Sequence, residues 1–521
     1  MSKLYLVILI ISLHFSVTAQ TEKDKMPADH SKFEILQKEF KTPQDVTAAC
    51  LTCHNNRHTE IINSPHWIWN RESVVPARGE KMSLGKTNLI NNFCIGIAGS
   101  EGTCTKCHIG YGWSDEIEKS DKKLSLAEYA DKHKNRIDCL ICHDNTGKYK
   151  KAKGKSGYPK SNINLNMIAQ NVGRPGKENC GSCHFFSGGG NNVKHGDLEK
   201  AQLNCTKEVD VHMAKDGKNL ECVDCHTTEN HNITGKLYAV SSSNENRATC
   251  VQCHSDSPHE DPLLNEHFVK VACQTCHIPT YAKANATKTY WDWSTAGKLN
   301  EDDEPYHVND ADGNHSYMSI KGTFEWGTNL EPEYLWFNGT ADHYLFGDKI
   351  DPEKGPVQIN TLHGSYEDTG NSVSKIIPVK VHRGKQIYDP INLIMIQPKL
   401  WDKKKGKGAY WKDFDWNRAA EEGMKIVNLP YSGKYDFIET EMYWPLNHMV
   451  ASADQALQCK DCHTPENGRL ANLTDFYLPG RDSNSFADIL GYLIIFGTLS
   501  GVLIHIILRM TMRKKYNKIG G

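Results

Sequence analysis

The longest continuous hydrophobic pattern in this chain lies near its C-terminus. Residues 489–508 carry no charged side chain over 20 positions, which is long enough to cross a bilayer as one helix. Five basic residues follow this run: Arg509, Arg513, Lys514, Lys515 and Lys518. Because positive charge marks the cytoplasmic flank of a span, we predict a transmembrane helix at residues 486–508 and a basic cytoplasmic tail at residues 509–521. A buried core helix is the alternative interpretation.

The N-terminus carries a shorter apolar run, at residues 4–13, directly after Lys3. The small residues Val17 and Ala19 then complete the pattern of an export signal. We predict that residues 1–19 are a signal peptide and that residues 20–485 form an extracytoplasmic domain. An N-terminal membrane anchor is the alternative.

The interior of the chain has a mixed pattern. Residues 278–458 are rich in aromatic and turn-forming residues and predict irregular chain and short strands. Apolar positions recur with helical spacing at residues 415–424 and 451–457. Residues 309–314 resemble a calcium loop, but a surface turn is the better interpretation because the downstream ligand glutamate is missing. The whole pattern predicts a mainly α fold with much irregular chain.

Eight copies of the motif Cys-x-x-Cys-His contain 16 of the 18 cysteines. In this motif the two thiols bond to the haem vinyl groups and the histidine ligates the iron. The sequence therefore predicts eight covalently bound haem c groups and a multihaem (octahaem) cytochrome c fold. Seven motifs lie within residues 50–277, and the eighth follows a haem-free stretch, residues 278–458. The predicted attachment residues and proximal ligands are Cys50, Cys53 and His54; Cys104, Cys107 and His108; Cys139, Cys142 and His143; Cys180, Cys183 and His184; Cys222, Cys225 and His226; Cys250, Cys253 and His254; Cys273, Cys276 and His277; and Cys459, Cys462 and His463.

Composition and charge agree with a haem-lined interior. The apolar fraction of 38% is low for a chain of 521 residues, and haem macrocycles would supply the missing apolar core. The formal net charge of −2 becomes more negative once haem propionates are added, which argues against nucleic acid as a partner. Two lysine clusters, at residues 148–155 and 403–407, are interpreted as solvated loops or as surfaces that attract an anion.

The remaining histidines bear on catalysis. Of 25 histidines, eight belong to the motifs, so many are available as second axial ligands. A low-spin electron-transfer haem generally takes a second histidine, whereas a catalytic haem needs an open or displaceable position. Spacing alone leaves open which motif carries the catalytic haem, and also whether all eight haems are bis-histidine.

Several segments resemble the octahaem tetrathionate reductase family, over about residues 45–470. They are SPHWIW (64–69), NFCI (92–95), GGGNNVKHGD (188–197), DVHM (210–213), VACQTCHIP (271–279), WDWSTAG (291–297) and KVHRGKQ (380–386). The resemblance implies seven bis-histidine haems and a catalytic haem with a distal lysine. The membrane span is an addition to the soluble members of that family.

By this resemblance the catalytic haem is attached at residues 104–108, Lys194 is its distal lysine, and Asp197 and Cys94 lie near it. A salt bridge to a propionate is the alternative for Lys194, and a disulfide with Cys205 is the alternative for Cys94. Seven histidines are then expected as the other distal ligands, with His195 in reserve: His66, His212, His231, His259, His267, His382 and His448.

The resemblance implies a reductase that cleaves tetrathionate to two thiosulfates and acts also on nitrite or hydroxylamine, and the predicted signal peptide and span make it extracytoplasmic and membrane-anchored. Its expected partners are a small inorganic anion as substrate, and a quinol-linked membrane cytochrome or a small periplasmic cytochrome as electron donor. Two other hypotheses remain open: nitrogen chemistry of the hydroxylamine oxidoreductase or nitrite reductase type, and a non-catalytic electron conduit. The motifs all end in histidine, whereas octahaem nitrite reductases usually have a lysine at that position of the catalytic motif.

Overall fold

The computed structural model describes residues 28–93, 95–112, 134–235, 242–370 and 373–519, with side chains described up to residue 513. The predicted signal peptide and Cys94 lie outside the described residues. The α-helices are α1 Pro43–Cys53, α2 Arg57–Ile62, α3 Pro65–Ile68, α4 Glu101–Cys104, α5 Leu140–His143, α6 Leu165–Gln170, α7 Lys177–His184, α8 Cys222–Cys225, α9 Pro262–Glu266, α10 Cys273–His277, α11 Tyr410–Asp413, α12 Trp416–Ile426, α13 Cys459–Cys462 and α14 Ser485–Ile519.

Short 3-10 turns connect many of these elements: His30–Lys32, Glu34–Leu36, Thr105–Cys107, Lys134–Arg136, Lys200–Leu203, Cys250–Gln252, His267–Val269, Trp293–Thr295, Pro352–Lys354 and Ala453–Gln455. Local sequence explains where the longer helices begin. Helix α1 starts after Thr42, whose hydroxyl accepts from the backbone N–H of Asp45 in a capping box. Helix α12 starts after Asp415, whose carboxylate accepts from the backbone N–H of Arg418.

The two predicted helices of the haem-free stretch have different outcomes. Helix α12 lies where the pattern at residues 415–424 predicted one. The prediction at residues 451–457 is wrong apart from one 3-10 turn, Ala453–Gln455. The backbone N–H groups of Ala451 and Leu457 donate to the carbonyl groups of His277 and Cys276. The Leu457 bond takes the donor that a helix over these residues would direct to the carbonyl of Ala453.

The strands are β1 Asn70–Val75, β2 Glu80–Gly85, β3 Thr228–Glu229, β4 Asn232–Ile233, β5 Thr287–Asp292, β6 His307–Asn309, β7 His315–Met318, β8 Gly322–Gly327, β9 Glu333–Phe337, β10 Ala341–His343, β11 Val357–Gln358, β12 Asn360–Leu362, β13 Lys375–Asp389, β14 Ile394–Met395 and β15 Asp436–Pro445. Nine of them form one sheet, in the order β11-β15-β13-β5-β8-β7-β6, with β9 and β14 also paired to β13. The mainly α expectation is therefore not confirmed, because the haem-free stretch forms a substantial sheet.

Strand β13 is the centre of this sheet. It pairs with β15 in antiparallel register from Val379 to Tyr388 and with β5 in parallel register at residues 383–385. Its residues from 376 to 382 are all buried. A buried strand with neighbours on both sides is a rigid support, and the candidate site described below lies against it.

An aromatic core covers one part of the sheet. The rings of Trp291 and Trp293 lie 4.9 Å apart, and Tyr410 stacks on Trp416 of α12 with ring centres 3.7 Å apart. Burial of such large rings is the main apolar contribution of this region. The loop at residues 309–314 joins β6 to β7 as a turn, with the Asp310 carboxylate accepting from the backbone.

Helix α14 is the one described helix that is long and apolar enough to span a membrane. Within Ser485–Arg513 the most apolar 18-residue stretch has a mean hydropathy of 2.1, and its side chains are exposed rather than packed against the domain. The alternative of a buried core helix is thus not the arrangement found. The chain before α14 is fixed to the domain by Arg481, which pairs with Asp482 at 2.6 Å and donates to the carbonyls of Leu470 and Phe476.

Candidate haem sites and a buried lysine

Six of the eight motifs fold as a helical turn that ends at the histidine or at the cysteine before it. Helices α5, α8, α10 and α13 each span one motif, and α1 and α7 end in one. Cysteines three positions apart on a helical turn project from the same side. The local fold therefore brings both thiols of a motif to one face, as attachment to one haem requires.

Backbone hydrogen bonds orient several motif histidines. The Nδ1 atom of His143 bonds to the carbonyl of Gly173 at 2.8 Å, that of His226 to Thr234 at 2.8 Å, and that of His463 to Pro479 at 2.7 Å. Such a bond fixes the ring and leaves Nε2 for a metal. The arrangement is that of a proximal haem ligand.

Among the described residues, seven of the eight motif histidines face a second histidine. The distances between ring centres are 6.4 Å for His54 and His30, 6.4 Å for His143 and His231, 6.2 Å for His184 and His66, 6.3 Å for His226 and His448, 6.1 Å for His254 and His212, 6.1 Å for His277 and His259, and 6.2 Å for His463 and His267. An iron about 2.0 Å from each imidazole nitrogen separates the ring centres by about 6 Å. The residues therefore fit bis-histidine haem at these seven motifs.

Six of the seven histidines expected as distal ligands each lie opposite a motif histidine, and one does not. The expected residues found in pairs are His66, His212, His231, His259, His267 and His448. His382, also expected as a distal ligand, lies on β13, fully buried, with Nδ1 3.0 Å from the Asn92 side chain. The histidine opposite His54 is His30, which is not among the expected ligands because it lies in no recognisable motif.

Carboxylates hold two of the distal histidines. Asp197 is buried, and its Oδ2 accepts from the backbone N–H groups of Asn447 and His448 and from His448 Nδ1 at 3.2 Å. Glu60 accepts from His231 Nδ1 at 2.7 Å. Burial opposes the charged form of His448, yet the bond to Asp197 raises its pKa overall. The observed contact of Asp197 is thus with a distal ligand of another motif.

The one motif histidine without a facing histidine among the described residues is His108 of the second motif, which is buried between two tryptophans. The ring centres of Trp67 and Trp69 each lie 5.0 Å from that of His108, and His108 Nε2 donates to the Trp67 carbonyl at 2.7 Å. Iron ligation through Nε2 would require that bond to break. Helix α3 therefore serves two motifs, because it carries His66, which faces His184, and Trp67, which packs on His108.

Lys194 is buried near this motif. Its Nζ lies 4.7 Å from the ring centre of Trp444 and 5.7 Å from that of Phe93, and it is within electrostatic range of Cys107. Burial lowers the pKa of Lys194 well below its ordinary value, and the charge of Lys86 adds to this effect. A neutral amine is the form that ligates iron, so the environment suits a distal ligand.

Other cations surround the same motif. Lys86, Lys106 and Lys151 all act electrostatically on Cys107. Lys151 is fully buried, donates to the His108 carbonyl and forms an ion pair of 3.1 Å with Asp138. The local charge therefore favours an anion, with Asp138 balancing one of the lysines.

The two cysteines outside the motifs are Cys94 and Cys205. Cys205 is a buried free thiol that packs with Met213 and Ala214. Cys94 lies outside the described residues, and its neighbours Phe93 and Ile95 belong to the buried aromatic core. His195, the reserve ligand, is partly buried, with its ring 5.1 Å from that of Trp444.

The motifs adjoin one another in a series that differs from their order in the chain. Thiols of different motifs shift one another's pKa in four pairs: Cys50 and Cys139, Cys107 and Cys183, Cys180 and Cys222, and Cys250 and Cys273. Electrostatic interactions link Cys225 to Cys253 and Cys276 to Cys459, and helix α5 contacts α7. The first, third, fourth, fifth, sixth, seventh and eighth motifs thus follow one another, and the second joins at the fourth.

Comparisons with known proteins identify the family. The family model described as bacterial cytochrome c matches residues 288–466. An uncharacterized protein of Archaeoglobus fulgidus is 26% identical over 263 residues, which is 41% of this chain and 82% of that protein. The crystal structure of octaheme cytochrome c from Shewanella oneidensis is 42% identical, with a TM-score of 0.74 over 84% of this chain and 94% of that one. This chain belongs to the octahaem c-type cytochromes.

Proposed function

We propose that this protein binds eight haem c groups and reduces tetrathionate to two thiosulfates at the site between Lys194 and the motif at residues 104–108. The reaction adds two electrons to the dianion, breaks its central sulfur–sulfur bond and needs no proton. The buried position of Lys194 beside Cys107 is the observation that carries the proposal. When bound, the haem iron supplies one-electron redox chemistry and a ligand position.

The chain's own residues give this site two properties. Lys194, held among Trp444 and Phe93 away from water, can ligate as a neutral amine and can carry a proton when a substrate displaces it. Lys86 and Lys106 add positive charge near Cys107. A small dianion would therefore be attracted to a position next to the amine.

The series of adjoining motifs supports electron supply from the membrane. The eighth motif lies at one end of the series, and His463 bonds to the carbonyl of Pro479. Helix α14 starts at Ser485, so chain length limits the separation of Pro479 and Ser485 to about 20 Å. We propose that α14 anchors the domain outside the cytoplasmic membrane and that a quinol-linked membrane cytochrome, or a small periplasmic cytochrome, donates electrons at this end.

The test is anaerobic oxidation of a reduced viologen by the purified, haem-loaded protein, with tetrathionate, nitrite and hydroxylamine offered separately. We expect fast turnover of tetrathionate and a loss of about 10–100-fold in Lys194→Ala, the usual range when a group at a metal is removed. The exposed lysine variant Lys218→Ala, outside both lysine clusters, is the matched control and should turn over normally.

Each other outcome contradicts a stated part of the proposal. Preference for nitrite or hydroxylamine would assign the site to nitrogen chemistry. Absence of turnover with all three would favour an electron conduit. Unchanged turnover and unchanged haem spectra in Lys194→Ala would remove this lysine from the site.

A further inference from the structure

A second buried lysine, Lys380, lies directly behind the chain segment that presents Lys194. It projects from the central strand β13 and is fully buried. Its Nζ donates to the carbonyl oxygens of Val193 at 2.9 Å and Lys194 at 3.1 Å, and to the Thr287 hydroxyl at 2.6 Å. Lys380 thus connects the sheet to the backbone of the candidate distal ligand.

The hydrogen-bond pattern requires three donors from Lys380. The Thr287 hydroxyl donates its own hydrogen to the carbonyl of Asn192 at 2.5 Å, so it accepts from Lys380. The two carbonyl oxygens can only accept. An ammonium has three N–H donors and matches this set. Burial lowers the pKa of Lys380, and the three acceptors oppose that shift because they stabilise the charged form.

The segment at residues 188–196 depends on such outside contacts for its shape. Gly188, Gly189, Asn192 and Gly196 all have positive φ angles, from 57° to 95°, and no helix or strand includes them. A methyl group at Gly196 would lie 2.9 Å from Lys380 Cδ. The segment therefore packs closely on the lysine side chain, and its conformation has little support from its own backbone.

The sheet gives Lys380 a fixed position relative to the other wall of the site. Lys380 pairs in register with Trp444 of β15, and Trp444 is the ring nearest to Lys194 Nζ. Directly opposite residues of an antiparallel pair share a face of the sheet. The same face thus carries both the aromatic wall and the group that holds the lysine segment.

We propose that Lys380 is a positioning residue, which fixes the backbone of residues 192–194 through its three hydrogen bonds and so directs the Lys194 amine toward the motif at residues 104–108. This inference rests on the assignment of Lys194 in the proposed function. Lys380 itself contacts neither substrate nor iron in this arrangement. Its removal should loosen the amine from its position without removing the amine.

The experiment is spectroscopic and uses the whole haem-loaded protein in its oxidised form. Electron paramagnetic resonance and near-infrared absorption distinguish lysine–histidine ligation from bis-histidine and from high-spin iron. Lys194→Ala defines the signal that is lost when the amine is absent. In Lys380→Met we expect most of that lysine-type signal to be replaced by a high-spin signal, with unchanged haem content and unchanged bis-histidine signals.

Two further variants keep the inference testable. Thr287→Val removes one of the three acceptors and should weaken the same signal to a lesser degree, even if Lys380→Met fails to fold. Lys270→Met is the matched control, because Lys270 also bridges two carbonyls, those of Tyr366 and Asp368, away from Lys194; it should leave the signal intact.

The outcomes separate this inference from the proposed function. If the unmodified protein has no lysine-type signal, or Lys194→Ala leaves it unchanged, the assignment of Lys194 fails. If Lys194→Ala abolishes the signal while Lys380→Met and Thr287→Val retain it in full, the positioning role of Lys380 is overturned. An equal loss in Lys270→Met would also overturn it, because the effect would then be general destabilisation.

Discussion

The bond between Asp197 and His448 gives a prediction that can be worked out from single contacts. One oxygen of Asp197, Oδ2, accepts all three hydrogen bonds, from two backbone N–H groups and from His448 Nδ1. In Asp197→Asn the amide oxygen can accept the same three bonds, so the substitution removes the negative charge and leaves the geometry in place. The affected iron is the one at residues 222–226, since His448 faces His226.

The expected effect is a higher reduction potential for that one haem. A hydrogen bond to a charged group exceeds a neutral one by about 1–1.5 kcal/mol. The carboxylate raises the basicity of the histidine ligand and so favours the oxidised, more positive iron. At 59 mV per tenfold change for one electron, the lost hydrogen-bond energy corresponds to a rise in reduction potential of about 40–70 mV. Potentiometric titration with optical and magnetic detection measures the shift.

Asp210 is the matched control for this measurement. It is equally buried and also accepts from backbone N–H groups, those of His212, Met213 and Met449. Its carboxylate is 3.9 Å from His212 Nδ1, beyond hydrogen-bond distance. Asp210→Asn should therefore shift its haem much less. Equal shifts in the two variants, or no shift in Asp197→Asn, would refute the reasoning from the histidine bond.

Three further predictions follow from particular contacts. His30→Met should raise the reduction potential of the haem at residues 50–54, because methionine ligation raises the potential of a haem iron. His58→Met, on the nearby helix α2, is the control and should leave that potential unchanged. Redox titration with spectroscopic detection compares the two variants. Gly322 has a positive φ, and the methyl group of Gly322→Ala would lie 2.0 Å from the Asp292 carbonyl oxygen. This variant should therefore lower the free energy of unfolding by more than the backbone strain alone, which costs about 1–2 kcal/mol. Denaturant midpoints compare it with Gly313→Ala, where φ is also positive but the new methyl group meets no atom within 4 Å. Removal of residues 486–521 should give a haem-loaded protein that stays in the supernatant on ultracentrifugation without detergent, and sedimentation or lost haem would contradict α14 as a simple anchor.

The haem-attachment sites and the candidate membrane span could be predicted from the sequence because both depend on neighbouring residues. A motif of five residues contains all the covalent chemistry of attachment, and α14 needs only length and apolar composition. The helical spacing of apolar residues at 415–424 likewise made α12 predictable. The count of motifs and the overall class of protein follow from the same local patterns.

The distal ligands and the sheet depend on residues far apart in the chain. His30 reaches His54 and His448 reaches His226 only after folding, and His382 resembles a ligand in sequence but is turned into the sheet toward Asn92. Strand β13 pairs with β5, which lies about a hundred residues earlier, so no local pattern predicts their register. Lys194 could be selected only by family resemblance, since its burial and its contact with Lys380 come from packing. Local chemistry thus identified the haem-binding protein, and long-range packing placed a second histidine opposite seven of the eight motif histidines.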